Sequence, residues 1–496
     1  MAKEKVVIIG AGPGGLTAGM ILSHRGYDVE IFETKDTVGG RNAPIKMGDF
    51  TFDTGPTFLM MKDVLEEMFE LSGKKTEDYL DIREVDPMYR LRYADGREFF
   101  PSHKNRDWMI DQIETLFPGN GVGYLKFLKR EQEKYDRLIP CLKVPYDNWS
   151  KMFSKNLRHA LPYLDAHISL YRNLGRYFDD DDLKIAFTFQ AKYLGMSPWE
   201  CPASFAIISL IEHNGGIWHP IGGLNAISKA MAKVIEENGG NIHLSTTVKE
   251  LFTENGKANG VWLESGDIVQ ADRTIINADF AHAMHNIARE KDLKNWKPAK
   301  VRSKRFSCST FMLYLAVDKL YDIPHHTICF AEDYKKNVAE MAESMVLSED
   351  PSVYIQNACR TDNTLAPEGK STIYILVPVP NTTADIVWDA EKDRFREIVL
   401  DRVEKRGGLT DIRDHIIEEK MITPDDWRDE HNVFNGATFN LAHNVAQMLV
   451  FRPHNSFEDI DNCYLVGGGT HPGSGLPTIY ESGRITADII SGKYEK

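Results

Sequence analysis

A long hydrophobic run is missing. No stretch of the 496 residues reaches the ~18 consecutive apolar side chains that a membrane-spanning helix needs, so no transmembrane segment is expected. Cysteine is scarce: Cys141, Cys201, Cys308, Cys329, Cys359 and Cys463 are scattered, with no C-x-x-C pair. That spacing excludes a disulfide framework and a zinc site, leaves no metal in view, and fits reduced thiols in a cytoplasmic protein. Positive charge is in deficit, with 59 Lys+Arg against 73 Asp+Glu and a formal charge of -14. Such a surface repels phosphate backbones, so nucleic acid is not an expected partner.

What is present is an ordinary globular composition, 42% hydrophobic and 27% charged, in a chain long enough for two or three lobes. Val6–Ile9 is an apolar run ended by glycine, which reads as a buried parallel strand and not as a secretory leader. Leu16–Arg25 is the following helix, stopped by Gly26, and Asp28–Glu33 is a second strand, completing a βαβ unit. Between Phe58 and Pro162 helical and short strand signals alternate without repeats, and Tyr163–Glu212 reads as mostly helical and rich in aromatics. The acidic run Asp179–Asp182 is a solvated loop or a helix start. Further on, Leu224–Glu237 is helical, Ile242–Thr247 a strand, Gly260–Gln270 a hairpin turning at Ser265-Gly266, and Thr274–Asn277 another strand. A mixed α/β region from Arg302 to Pro453 contains strands at Cys308–Val317 and Ser371–Val379. Asn462–Gly467 is a last buried strand, and Pro477 opens the final helix.

The two ends of the chain carry the chemistry. Gly10-Ala11-Gly12-Pro13-Gly14-Gly15 sits between a strand and a helix, the arrangement that lets a pyrophosphate approach the backbone at a helix N-terminus. Gly10, Ala11, Gly12, Gly14 and Gly15 are therefore assigned to a dinucleotide. Glu33, ending the second strand, is placed to grip a ribose hydroxyl pair and would repel a 2′-phosphate. Gly39-Gly40-Arg41 and Asp53-Thr54-Gly55-Pro56 follow, a segment able to wrap the pyrophosphate and flavin end of FAD. Gly40, Arg41, Gly55 and Pro56 are its contact candidates, Arg41 through charge-assisted hydrogen bonds. Near the far end, Gly468, Gly469, Pro477 and Thr478 are expected to close the site, with the helix dipole stabilising an anionic reduced flavin. No second glycine fingerprint is evident, so oxygen or a quinone is the expected electron acceptor.

With these residues in view, the chain resembles the phytoene desaturase family of carotenoid-processing flavoproteins, of the bacterial phytoene/diapophytoene type, almost end to end. The resemblance rests on the motifs above and on Ala186-Phe187-Thr188-Phe189 leading to Tyr193-Leu194-Gly195. It continues through Gly215–Gly223, Ser348-Glu349-Asp350-Pro351, Leu365–Gly369, Arg452-Pro453-His454-Asn455 and, most specifically, Thr470-His471-Pro472-Gly473. It implies an α/β fold with a Rossmann-like FAD-binding domain of glutathione-reductase/amine-oxidase type, split in sequence. That domain would take residues 1–90, 215–295 and 455–496. A mixed α/β substrate domain with a helical membrane-facing region would take 91–214 and 296–454. The implied activity is FAD-dependent insertion of double bonds into a long polyene such as phytoene or diapophytoene, by an enzyme docked peripherally on a membrane. The same resemblance brings the Val248 backbone to the adenine end of FAD. Carotenoid isomerisation or terminal oxygenation, amine oxidation, and a non-catalytic lipid-binding role are the alternatives. Two places depart from the commonest pattern: Asn440 stands where relatives often have glycine, and Thr478–Arg484 is bulkier than usual.

Dehydrogenating an allylic CH2–CH2 unit needs a hydride acceptor and a proton acceptor, with the chain held still and water excluded. Motif position brings His471 and His443 nearest the flavin, each either a base or a holder of its loop through backbone hydrogen bonds, the second being the simpler role. Membrane contact is expected from apolar side chains within Tyr163–Ile211, and the net charge argues for mainly hydrophobic, weakly salt-sensitive binding.

Overall fold

Alternation along the first strand sets the first lobe. The structure, a computed structural model, describes residues 3–494 apart from the side chains of residues 192–194, so the Tyr193-Leu194 part of the aromatic motif lies outside the described side chains. Lys5–Ile9 is the centre of a five-stranded parallel sheet, flanked by Arg273–Ile276 then Cys463–Leu465 on one side, and by Asp28–Phe32 then Asn241–His243 on the other. Three separated stretches of chain thus build one sheet. Val6 and Ile8 face one way, beneath the helices Pro13–His24, Asn225–Glu237 and Leu476–Ile490. Val7 and Ile9 face the other, against a three-stranded sheet of Val248–Glu254, Lys257–Leu263 and Ile268–Gln270. A buried parallel strand has two buried faces, which is why its sequence is a continuous apolar run.

The first and last helices cross closely. A Cβ at Gly483 would lie 2.6 Å from the Gly14 carbonyl oxygen and 2.8 Å from Thr17 Cβ, so this crossing tolerates no side chain.

The second lobe is built on a seven-stranded mixed sheet in the order Ile416–Ile422, Ser309–Val317, Ser371–Val379, Val353–Asn357, His326–Cys329, Arg90–Arg92, Glu98–Phe99. Ser309–Val317 is buried at all nine positions. Phe311, Leu313, Leu315 and Val317 pack against the helix Trp388–Arg402, and Met312, Tyr314 and Ala316 join a large aromatic core shared with residues 88–210.

Several expected elements differ in extent. The strand expected at Ile242–Thr247 stops at His243, because Ser245 turns with φ 50° and Thr246 N–H instead meets the Glu33 carbonyl at 2.8 Å. The expected hairpin is the second half of the three-stranded sheet, whose first strand, Val248–Glu254, the sequence reading passed over. The last strand is shorter than expected, since Asn462 is left-handed with φ 58°. Asp180 caps the short helix Asp181–Ala186 through Leu183 N–H, so the acidic run is a helix start. Among the described residues, no helix is long and apolar enough to cross a membrane.

Candidate active site

The glycine turn is where both chain ends meet. Gly39 N–H donates to the Ala11 carbonyl at 2.8 Å, and a Cβ at Gly14 would meet the Gly467 nitrogen at 3.2 Å. Gly15 has no room for any side chain: a Cβ would lie 2.6 Å from the Gly10 carbonyl oxygen and 2.7 Å from Asn277 Nδ2. Asn277, which ends its strand opposite the turn, donates from Nδ2 to the carbonyls of Gly10 (2.8 Å) and Gly12 (3.3 Å). Sequence reading had noted Asn277 only as a strand end; its role depends on pairing across more than 260 residues.

Glu33 lies under this turn, almost fully buried. Its carboxylate accepts from Ala11 N–H at 2.8 Å and from Lys35 N–H at 2.9 Å, leaving each oxygen a further lone pair. Val248 opens its strand just beyond the Thr246–Glu33 link and packs with Phe32 on the same side of the sheet.

The Gly39–Asn42 turn is held down by the N-terminus of the helix Asn225–Glu237: Asn225 Nδ2 donates to the carbonyls of Val38 and Asn42. Arg41 NH1 donates to the Thr438 carbonyl at 2.9 Å. Asn440, its amide oriented to satisfy both neighbours, donates to Asp279 Oδ2 at 2.6 Å and accepts from Arg41 NH2 at 3.2 Å. Burial raises the Asp279 pKa, with Arg41 opposing the shift. Asn440 has φ 63°, a conformation in which asparagine substitutes for glycine more readily than most residues do. Its departure from the family pattern therefore has a backbone reason.

Thr54–Thr57 runs along the junction between the lobes. Tyr314 and Tyr374 reach from the second sheet to donate to the carbonyls of Thr54 (2.6 Å) and Gly55 (2.9 Å). Asp53, buried and with its pKa raised by desolvation, accepts from Leu224 N–H and from Gln356.

The C-terminal loop is organised by two side chains from Arg452–Asn455. Arg452 is fully buried and reaches only carbonyls: Thr470, Gln447, Leu441 and Gly468, the last at 2.6 Å. Burial pushes its guanidinium down to about 9. Asn455 Nδ2 donates to the His471 carbonyl at 3.1 Å. Pro477 lies in the first turn of the final helix, and the Thr478 hydroxyl folds back on the carbonyls of Gly473, Ser474 and Gly475.

Both histidines singled out by motif position hold loops here. His471 donates from Nε2 to the Val144 carbonyl at 3.0 Å and rests against Tyr146, and burial pushes its pKa down to about 3. His443 Nε2 accepts from Ser474 N–H at 3.0 Å, and burial with the nearby Arg452 charge holds its pKa well below the usual range.

A narrow, predominantly apolar cleft of about 50 Å3 adjoins this loop. Strands of the second sheet supply Ile328, Tyr354 and Leu376; Phe189, Phe330, Tyr334 and Phe439 close over them. Phe439 joins cleft and loop, its carbonyl accepting from Ser474 Oγ at 2.7 Å. No carboxylate stands among the described lining residues. The cleft was not legible from spacing, because its walls come from five separate stretches.

Known proteins resemble this chain along its whole length. The family described as flavin containing amine oxidoreductase matches residues 13–491. A 4,4'-diapophytoene desaturase (4,4'-diapolycopene-forming) of Methylomonas sp. is 51% identical over 495 residues, covering 100% of this chain and 96% of the relative. A zeta-carotene-forming phytoene desaturase of Myxococcus xanthus is 35% identical, covering 98% and 94%. A crystal structure of an oxidoreductase from Methanosarcina mazei superposes with a TM-score of 0.63 at 18% identity, covering 98% of this chain and 100% of that one, a likeness of fold. The fold is the FAD-binding, amine-oxidase type with mixed α/β sheets.

Proposed function

Because the chain belongs to the phytoene desaturase family of FAD-dependent oxidoreductases, we propose that it inserts double bonds into a C30 polyene of the 4,4'-diapophytoene type, working from a membrane surface. The C30 assignment is supported by 51% identity to a relative named for that substrate, against 35% to one named for zeta-carotene formation. The observation that carries the reading is the apolar cleft joined through Phe439 to the glycine loop: such a lining suits a hydrocarbon and offers an ammonium no counter-ion. A thirty-carbon chain does not fit a space of about 50 Å3, so the aromatic walls part when it enters.

The residues present fit FAD. Gly10–Gly15 and the N-terminus of the helix Pro13–His24 would take the pyrophosphate, Glu33 the ribose hydroxyls, and Val248 the adenine end. Arg41, Gly40, Gly55 and Pro56 would line the path toward the flavin, with Gly468, Gly469, Pro477 and Thr478 closing over it. When bound, FAD supplies a two-electron acceptor for hydride. The protein's own residues orient the chain, exclude water and handle the proton. On this reading His443 and His471 position the loop. We assign residues 1–90, 215–295 and 455–496 to the FAD domain and the remainder to the substrate domain; oxygen or a quinone would accept the electrons.

For membrane contact the exposed side chains favour a different segment from Tyr163–Ile211. None of the exposed large hydrophobic residues described falls there. Trp149 and Phe153 are exposed by 63% and 74%, Leu161, Val445 and Phe451 are exposed too, and Trp149 meets Phe451 edge-on at 5.3 Å. Lys155 and Arg158 are exposed beside them. This cationic edge lends local attraction to anionic lipid despite the net charge of -14.

Expression in cells that make either the C30 or the C40 precursor tests the proposal. Products carrying added double bonds and lacking oxygen, formed from the C30 precursor in preference, are expected together with a yellow, FAD-containing purified protein. Oxygenated or merely isomerised products would sink the desaturase assignment, and a preference for C40 would sink the C30 one.

A further inference from the structure

Turning CH2–CH2 into CH=CH removes a hydride and a proton. The hydride carries its electron pair to the oxidised cofactor, while the proton must find a base beside an apolar cleft. His471, whose Nε2–H goes to Val144, and His443, whose Nε2 accepts from Ser474 N–H, each keep an unpartnered Nδ1, but neither lines the cleft.

Tyr354 is the lining residue that meets a buried polar cluster. Its Oη lies 2.8 Å from Thr57 Oγ1 and 2.8 Å from His326 Nδ1. Thr57 follows directly on the Gly55-Pro56 segment, so this hydroxyl stands between the cleft and the cofactor path. His326 is fully buried against the edge of Phe58, and its Nε2 has no hydrogen-bond partner. The ring of His325 is 4.2 Å from that of His326, and His219 is 4.8 Å from His325. His219 Nε2 pairs with Asp362 Oδ2 at 3.1 Å, and Gln356 Nε2 reaches both Asp53 Oδ2 (3.1 Å) and His325 Nε2 (3.5 Å). His325 Nδ1 is 2.8 Å from Thr361 Oγ1, which precedes the buried Asp362 and the exposed Asn363 and Thr364. Three imidazoles and two carboxylates therefore extend from the cleft along the junction of the lobes.

We propose that Tyr354 and His326 together are the proton acceptor of the dehydrogenation. The proton leaves the substrate carbon for Tyr354 Oη while the tyrosine's own hydroxyl proton passes to His326 Nδ1. One C–H and one O–H bond break, one O–H and one N–H bond form, and the C–H electron pair stays on the substrate as the new π bond. The imidazolium so formed faces the Asp53 and Asp362 carboxylates across His325 and His219, whose charge stabilises it, and it returns its Nδ1 proton through Tyr354 Oη to solvent when the product leaves the cleft. This rests on the reading that the cleft holds the polyene. Burial, with His325 and His219 nearby, keeps His326 well below the usual histidine range, so it is neutral and able to accept at neutral pH. A weak base suffices, because a C–H next to a carbon losing hydride is strongly acidic. The other titratable groups around the pair are Tyr374, Asp53 and Asp362. Glu212, pushed up to about 7 by burial, is the nearest rival. It is tied to Tyr89 and Gln190 and lies behind Phe189 instead of in the lining.

The test is anaerobic reduction of bound FAD by the polyene in vesicles, followed by stopped-flow absorbance for wild type, His326→Gln, Tyr354→Phe and Glu212→Gln. His326→Gln and Tyr354→Phe are each expected to slow reduction by about 100-fold or more, with FAD content, visible spectrum and polyene KM unchanged. Glu212→Gln should reduce at the wild-type rate. In wild type the rate should hold level as pH falls through 6.5 and decline only below it, and in His326→Gln that decline should vanish. Wild-type rates in both pair variants, or losses that track lost FAD or weakened polyene binding, would overturn the proposal, as would a slow Glu212→Gln beside a normal His326→Gln. Wild-type FAD that no polyene reduces would overturn the functional reading itself and this proposal with it, an outcome visible before any variant is made.

Discussion

A guanidinium with no carboxylate is an unusual thing to bury, and Arg452 shows what it is for. It gathers four carbonyls from two loops, and only that of Gly468 has a second side-chain donor, Ser474 Oγ at 3.3 Å. Replacing it by leucine would take the guanidinium donor from the oxygens of Thr470, Gln447 and Leu441, at about 1–3 kcal/mol for each one left unsatisfied. Arg452→Leu is therefore expected to lower stability by at least about 3 kcal/mol and to release FAD. Denaturant melts, with flavin fluorescence as the second probe, would check both. Arg452→Lys should recover only part, since an ammonium is a point donor without the fork that spans several acceptors. Asn440 illustrates the same scale differently: a substitution that looks like a departure from pattern is one that its left-handed backbone accepts.

Helix crossings carry the next prediction. A methyl at Gly483 would press on the Gly14 carbonyl at 2.6 Å, so Gly483→Ala must push the final helix off the first, at the ~1–3 kcal/mol typical of overpacking. Because the two helices frame the glycine turn, FAD affinity should fall with Tm; equilibrium dialysis and thermal melts measure the two. Retained affinity would show that the helices bind the cofactor independently. Elements buried on both faces were legible in the sequence, because Val6–Ile9 is apolar throughout and Cys308–Val317 and Ser371–Val379 are predominantly apolar and free of charge. The cofactor glycines were legible too, since local backbone geometry demands them. Val248–Glu254 was not, as it alternates with exposed charges such as Lys249 and Glu254. The polar cluster was invisible for another reason: His219, His325 and Asp362 lie more than thirty positions apart and are joined only by the packing of one lobe on the other.

At the scale of the whole molecule, surface and site are mechanically continuous. The segment bearing Trp149 and Phe153 is anchored at Val144, whose carbonyl holds His471, and at Lys143, whose carbonyl accepts from Arg484 of the final helix at 2.6 Å. Trp149→Ser with Phe153→Ser is expected to abolish flotation with vesicles and sharply cut turnover of vesicle-borne polyene, while FAD content stays normal. Lys155→Glu with Arg158→Glu should weaken flotation on anionic vesicles and leave neutral ones unaffected. Unchanged flotation in both pairs would place the contact elsewhere. The order of strands in the first sheet has a further consequence, for synthesis. The central strand, Lys5–Ile9, is made long before Arg273–Ile276 and Cys463–Leu465, which complete its sheet on one side hundreds of residues later. Domains that form during translation usually do so from the N-terminus onward; this one must wait, its first βαβ unit held open until Cys463–Leu465 is translated. A nascent chain cannot retain its cofactor early, so cofactor capture follows translation of Cys463–Leu465 and the helix Leu476–Ile490.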